Sequence, residues 1–143
     1  MQQVHILLVE DNEGDIILTT EAFEDSQLVR KLSVARNGKE ALDFLYKKEK
    51  YQSAETPDLI LLDINLPLKN GFEVLQTIKT DESLKLIPVI MFTTSSSPTD
   101  VNSSYKNHAN CFITKPLEVP HFMSTIEQIE EFWFNTARIA KIT

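Results

Sequence analysis

The sequence predicts an α/β domain, a parallel sheet with helices on both faces. Two observations carry this. Three short runs, His5-Ile6-Leu7-Leu8-Val9, Asp58-Leu59-Ile60-Leu61-Leu62 and Pro88-Val89-Ile90-Met91-Phe92, are almost continuously apolar, as strands covered on both faces are. Longer segments between them carry apolar residues at three-and-four spacing, the mark of a helix with one buried stripe.

The elements follow in order. After the first strand, Ile16, Ile17, Thr20, Phe23 and Glu24 belong to a helix with Asp15 near its start. Lys31-Leu32-Ser33-Val34-Ala35 is a weaker strand candidate. The second helix is entered through Asn37-Gly38 and marked by Ala41, Leu42, Phe44 and Leu45. Lys47 to Pro57 is polar and longer than a usual αβ connection. The third strand leads to a helix marked by Phe72, Val74, Leu75 and Ile78. After the fourth, Thr93 to Pro98 is a Ser/Thr-rich loop, followed by a poorly patterned helix around Asp100 to Asn107. Asn110 to Thr114 is the fifth strand. The fifth helix carries Val119, Phe122, Met123, Ile126, Ile129 and Trp133.

Composition narrows the function. The 143 residues suit one domain. Fourteen Lys and Arg against 21 Asp and Glu leave a net charge of −7, which argues against nucleic acid and against an anionic membrane surface. The single cysteine, Cys111, has no internal partner, and a reducing compartment fits. Met1-Gln2-Gln3-Val4-His5 lacks a basic leader, and no apolar run approaches the ~20 residues of a membrane span. A cytoplasmic location is expected.

Parallel sheets place ligands beyond the carboxyl ends of their strands. Glu10-Asp11 follow the first strand, Asp63 the third, Thr93 the fourth and Lys115 the fifth. Three carboxylates, a hydroxyl and an ammonium therefore gather from four loops. The carboxylates repel one another, and a hard divalent cation with oxygen ligands neutralises them; Mg²⁺ suits few carboxylates plus a phosphate. One such acid would read as a solvated loop residue. Complementary groups at four strand ends do not. With only 3 Gly and Glu10-Asp11-Asn12 in the first loop, a glycine-rich phosphate cradle is excluded.

Leu7-Leu8-Val9-Glu10-Asp11, Asp58 to Pro67, Asn70-Gly71, Pro88 to Thr93 and Thr114-Lys115-Pro116 together resemble the two-component receiver domains of the chemotaxis-regulator type. The resemblance runs from about Val4 to Ile129. It implies a flavodoxin-like (βα)5 doubly wound sheet of order 2-1-3-4-5. It implies that Asp63 is the phosphoacceptor, Asp11 a direct Mg²⁺ ligand, Glu10 a second acid acting through water, and the Asn65 carbonyl a further ligand. It makes Thr93 the switch hydroxyl, Lys115 the phosphoryl-binding cation and Phe112 the rotating aromatic. Such chemistry is mostly positioning and charge stabilisation. The implied partner is a sensor histidine kinase or phosphotransfer protein, and the acceptor supports its own phosphorylation and dephosphorylation.

Asp11-Asn12-Glu13-Gly14-Asp15-Ile16, the long loop before Pro57, Thr93-Thr94-Ser95-Ser96 and Glu130-Glu131-Phe132-Trp133 more narrowly resemble the stand-alone receivers partnered with bacteriophytochromes. Two departures stand out. Thr94 occupies a position where many receivers have Ala, and His108-Ala109 replaces a common Gly-Ala.

The chain is expected to be one receiver domain over residues 1–143, with an extended fifth helix and no output domain. Thr94 to His108 is expected to be its moving surface. Two rival readings share parts of this pattern. A haloacid-dehalogenase-type phosphatase also uses a nucleophilic Asp with Mg²⁺, but needs an acid two residues later, where this chain has Asn65. A phosphorylation-independent binding module would not need all five site residues. His5, His108 and His121 lie too far apart in sequence for a metal triad, and Cys111 reads as apolar filler. Phe134 falls about 100° from Trp133 on an ideal helix, beside Glu127, Glu130 and Glu131. With Phe132, Ile139 and Ile142 it suggests an exposed patch and a homodimer through the C-terminal helix.

Overall fold

A computed structural model describes residues 3–141. The strands are β1 (Val4–Val9), β2 (Val29–Ala35), β3 (Leu59–Leu62), β4 (Val89–Thr93) and β5 (Cys111–Thr114). They pair in parallel in the order β2-β1-β3-β4-β5. The helices are α1 (Glu13–Glu24), α2 (Gly38–Leu45), α3 (Gly71–Thr80), α4 (Pro98–Lys106) and α5 (Val119–Glu130). The expected sheet order holds. The chain adds β2 on one side of β1 and β3 on the other, so the Glu10-Asp11 and Asp63 loops flank one crevice.

Side chains alternate across the sheet with period two. Leu7, Val9, Ile60, Leu62, Val89 and Met91 pack with α2 and α3. Ile6, Leu8, Leu59, Leu61, Ile90 and Phe92 pack with α1 and α5 through Ile16, Phe23, Phe122, Ile126 and Ile129. Burial on both faces is what made the central strands read as unbroken apolar runs. Half-buried β2 and β5 lie at the edges and read weakly.

Asparagine opens three helices. Asn12, Asn37 and Asn70 each accept the N–H three residues on, satisfying an otherwise orphaned donor. The Ser97 side chain caps α4, with Pro98 at its first position. That helix starts two residues before the expected Asp100. Its one fully buried residue is Ser104, which explains the missing apolar pattern.

Helix α4 ends in a Schellman motif: the His108 N–H donates to the Tyr105 carbonyl and the Ala109 N–H to that of Ser104, both at 3.0 Å. His108 sits at φ 69°, the left-handed region that favours glycine. The Gly-to-His departure therefore falls where the backbone asks for glycine. His108→Gly is expected to stabilise the protein by about 1 kcal/mol, read as a higher urea midpoint at unchanged slope.

The C-terminus corrects one expectation. After Glu130 the chain runs as a π-helix over Glu131–Thr136, closed by the Ala137 N–H donating to the Phe132 carbonyl at 2.7 Å. The wider turn shifts the angular register, so the 100° step used for Phe134 fails there. Phe134 is half-buried with Trp133, and Ile139 folds back onto the same α1/α5-side core. Phe132 is the aromatic left outside, 53% exposed. Ile142 lies outside the described residues.

Candidate functional site

Each site residue stands at a strand end, and the hydrogen-bond ladders carry on to hold it. The Glu10 N–H donates to the Ala35 carbonyl at 3.0 Å, the Asp63 N–H to Val9 at 3.1 Å and the Lys115 N–H to Thr93 at 2.6 Å. The sheet thus fixes three charged residues before their side chains make any contact. Gly71 closes the site from below. Its N–H donates to the Ile64 carbonyl at 2.7 Å, and a Cβ there would overlap the Asp63 carbonyl oxygen and Ile64 Cα. Asn70-Gly71 is a close-approach requirement for the Asp63 backbone.

The side chains converge on the Lys115 ammonium. Its Nζ donates to Glu10 Oε2 at 2.6 Å, Asp15 Oδ2 at 2.9 Å and Asp63 Oδ2 at 3.2 Å. Lys115 is 4% exposed and Glu10 2%, so water does little to screen them. Burial, with the nearby Asp63 charge, pushes the Glu10 carboxyl up to about 7 against the pull of Lys115. Burial alone would lower Lys115; its hydrogen bond to Glu10 and the charges of Asp63 and Glu10 reverse that and raise it to about 12. Asp63 Oδ1 accepts the Ile64 N–H at 2.7 Å, and Glu10 Oε1 accepts the Asn12 N–H at 3.0 Å.

Glu10, Asp11 and Asp63 each offer a carboxylate oxygen, all within 4.8 Å of one another. This all-oxygen donor set suits a hard divalent cation. Asn65 follows in the β3–α3 loop, and no backbone N–H among the described residues donates to its carbonyl.

Thr93 ends β4, fully buried. The Ser95 N–H approaches its Oγ1 at 3.5 Å, and Ser95 Oγ donates to Asp100 Oδ2 at 2.6 Å. Phe112 is half-buried against the α2/α3-side core, and its N–H donates to the Tyr105 hydroxyl at 3.1 Å. Thr114 donates to the Ser95 carbonyl at 3.0 Å. Sequence reasoning grouped Glu10, Asp11, Asp63, Thr93 and Lys115; the structure brings the three acids together and sets Lys115 against Glu10 and Asp63, with Thr93 at the end of β4. It missed Asp15 as a partner of Lys115, and Tyr105 and Ser95 as ties between α4, its leading loop and β5. None of these carries a sequence signal beyond a polar residue on a helix or loop.

The histidines do not assemble. His5 is buried in β1, bonded through Nε2 to Ser33 Oγ at 2.8 Å; His108 and His121 are exposed. No helix among the described residues is long and apolar enough to cross a membrane.

Comparison with known proteins shows the family. The model of the response regulator receiver domain matches residues 6–127. Response regulator Rcp1 of Synechocystis is 41% identical over 134 residues, covering 94% of this chain and 91% of its own. The probable methanogenesis regulatory protein FilR2 of Methanothrix harundinacea is 41% identical over 133 residues, covering 93% and 85%. Among solved structures, the phosphorylated cyanobacterial phytochrome response regulator RcpA superposes with a TM-score of 0.94 at 43% identity, over 97% of this chain and 99% of that one. The Mn²⁺-bound form of Rcp1 gives 0.93 at 40%, over 96% and 99%. With five parallel strands in this order and an acid cluster at their carboxyl ends, the chain belongs to the response regulator receiver family and serves two-component phosphorelay signalling.

Proposed function

We propose that the chain is a single receiver domain that accepts a phosphoryl group on Asp63 from a histidine kinase, with Mg²⁺ held beside it. The observation that carries this is the convergence of Glu10, Asp11 and Asp63 at the β1/β3 crevice, with Lys115 bonded to Glu10 and Asp63. Asp11, Asp63 and the Asn65 carbonyl would hold the cation directly, and Glu10 would act through water. The bound cation supplies positive charge that lets an anionic phosphodonor approach three carboxylates.

The protein's own groups do the rest. Asp63, fixed by the Ile64 N–H, presents a carboxylate oxygen to phosphorus. Lys115 donates to the phosphoryl oxygens. The acyl phosphate adds charge and acceptor oxygens, and Thr93 turns inward to meet one of them. Ser95 then moves with Thr93, and Phe112 turns into the space left. Through Ser95–Asp100 and Tyr105–Phe112 the change reaches α4, so Thr94 to His108 is the moving surface. The same site supports hydrolysis of the acyl phosphate.

Bacteriophytochrome response regulators among the similar structures favour a kinase of that kind as the donor. Output is contact with another protein in the cytoplasm. The homodimer expectation loses Phe134 as its anchor and rests on exposed Phe132 at the end of α5.

The test is labelling with acetyl phosphate, followed by intact mass. One phosphoryl group is expected with Mg²⁺ and none after chelation. Equal labelling in both would remove the metal from the account, and no labelling in either would remove the function.

A further inference from the structure

The geometry points to Asp15 as a positioning residue that keeps the Lys115 ammonium at Asp63 while the other acids are engaged by a cation. The inference rests on the proposed phosphoacceptor reading and adds a residue to it.

Asp15 has an ordinary role in its own helix. It sits in the first turn of α1, where acids are favoured by the helix dipole and can complete a capping box. Three helices of this protein share the arrangement: an Asn cap with an acid three residues on. In α3, Glu73 reaches back to the Asn70 N–H at 3.2 Å, completing the box. In α2, Glu40 accepts the Arg36 N–H at 2.9 Å, again closing onto the chain before the helix. In α1 the Asn12 N–H is taken by Glu10 instead, and the Asp15 carboxylate points across the crevice to Lys115 Nζ at 2.9 Å. Asp15 alone of the three acids leaves its own helix end for a residue 100 positions away.

The ammonium has three N–H donors, and three carboxylates take them: Glu10, Asp15 and Asp63. Two of these acids belong to the cation-binding set and Asp15 does not. When a cation shares the charge of Glu10 and Asp63, Asp15 is the counter-charge Lys115 keeps for itself. Asp63 Oδ2 is the longest of the three contacts, at 3.2 Å, so a phosphoryl oxygen arriving there replaces the weakest bond. Asp15 and Glu10 hold the ammonium in place during that exchange. The Asp15 side chain is 24% exposed, so its exchange for Asn leaves no buried void.

Lysine-labelled ¹⁵N NMR reads the contact without phosphorylation. In wild type, a slowly exchanging Lys115 ammonium signal is expected both without metal and with Mg²⁺. In Asp15→Asn it should survive without metal and vanish when Mg²⁺ is added. Kinetics give the second reading. With saturating Mg²⁺, Asp15→Asn should lower the maximal rate of labelling by acetyl phosphate several-fold without raising the half-saturating concentration, and Asp15→Glu should recover part of the loss. In a Lys115→Ala background the Asp15→Asn change should have no further effect. A Lys115 signal that persists in Asp15→Asn with Mg²⁺, or an undiminished Asp15→Asn effect without Lys115, overturns the inference. Failure of the wild type to be labelled on Asp63 would instead overturn the phosphoacceptor reading, and the ammonium signal would still decide the role of Asp15.

Discussion

Asp63→Asn gains no phosphoryl group under conditions in which the wild type gains one. The effect should be complete, because the proposed acceptor carboxylate is removed and nothing else in the site replaces it. Glu10 is buried, tied to Lys115 and the Asn12 N–H, and raised to about 7. Asp11 sits on the exposed side of the cluster, without the Lys115 contact that Asp63 makes. The variant should fold. Asn matches Asp in size, and its side-chain oxygen can still accept the Ile64 N–H. Removing one charge from three crowded carboxylates also relieves repulsion, so without metal the variant should be at least as stable as wild type. Intact mass and a urea titration on the same sample check both statements. A retained phosphoryl mass in the folded variant would move the acceptor elsewhere.

Lys115→Met should destabilise the metal-free protein by about 3 kcal/mol near pH 8, since losing one partner leaves buried carboxylates without their counter-charge. Near pH 5 the cost should be much smaller. The sign follows from Glu10. Its carboxyl is raised from 4.5 to about 7 in the folded protein, so the folded state holds this proton more tightly than the unfolded chain. Its contribution to stability is therefore present below pH 4.5 and lost as pH rises through about 7. Lys115, raised to about 12, stays charged across that window and limits the loss. Without it the Glu10 carboxyl rises further and the loss steepens. Mg²⁺ should accordingly stabilise wild type more near pH 8 than near pH 5. Urea unfolding of both proteins at the two pH values decides this. A Lys115→Met cost independent of pH would mean that the three-acid contact does not hold the site together.

Much of the architecture was legible because burial writes itself into sequence. The central strands β1, β3 and β4 are apolar on both faces, and no other element gives unbroken runs such as Leu59 to Leu62. The site was legible for the opposite reason. Charges immediately after apolar strands have no packing role, and complementary polar groups at four strand ends point to one chemistry. Asn65 in place of a second acid argued against the phosphatase reading, and the family match agrees.

What sequence left hidden depended on local geometry. The π-helix at Glu131–Thr136 rotates Phe134 inward, and a fixed helical step cannot register that. The left-handed turn at His108 carries no glycine to announce it. The Asp15–Lys115 contact joins two helix- and strand-end residues whose separate roles already have ordinary explanations. Helix α4 was faint because its buried contact is a serine that bonds back to the Asp100 carbonyl at 2.8 Å, so no apolar stripe is needed.

Borohydride trapping tests the central claim most directly. Reduction of an aspartyl phosphate converts that residue to homoserine, and peptide sequencing by mass then names the position. After labelling with acetyl phosphate and Mg²⁺, homoserine is expected at position 63 and at no other acid. Homoserine at another position, or none in a protein that carries the phosphoryl mass, would contradict the account.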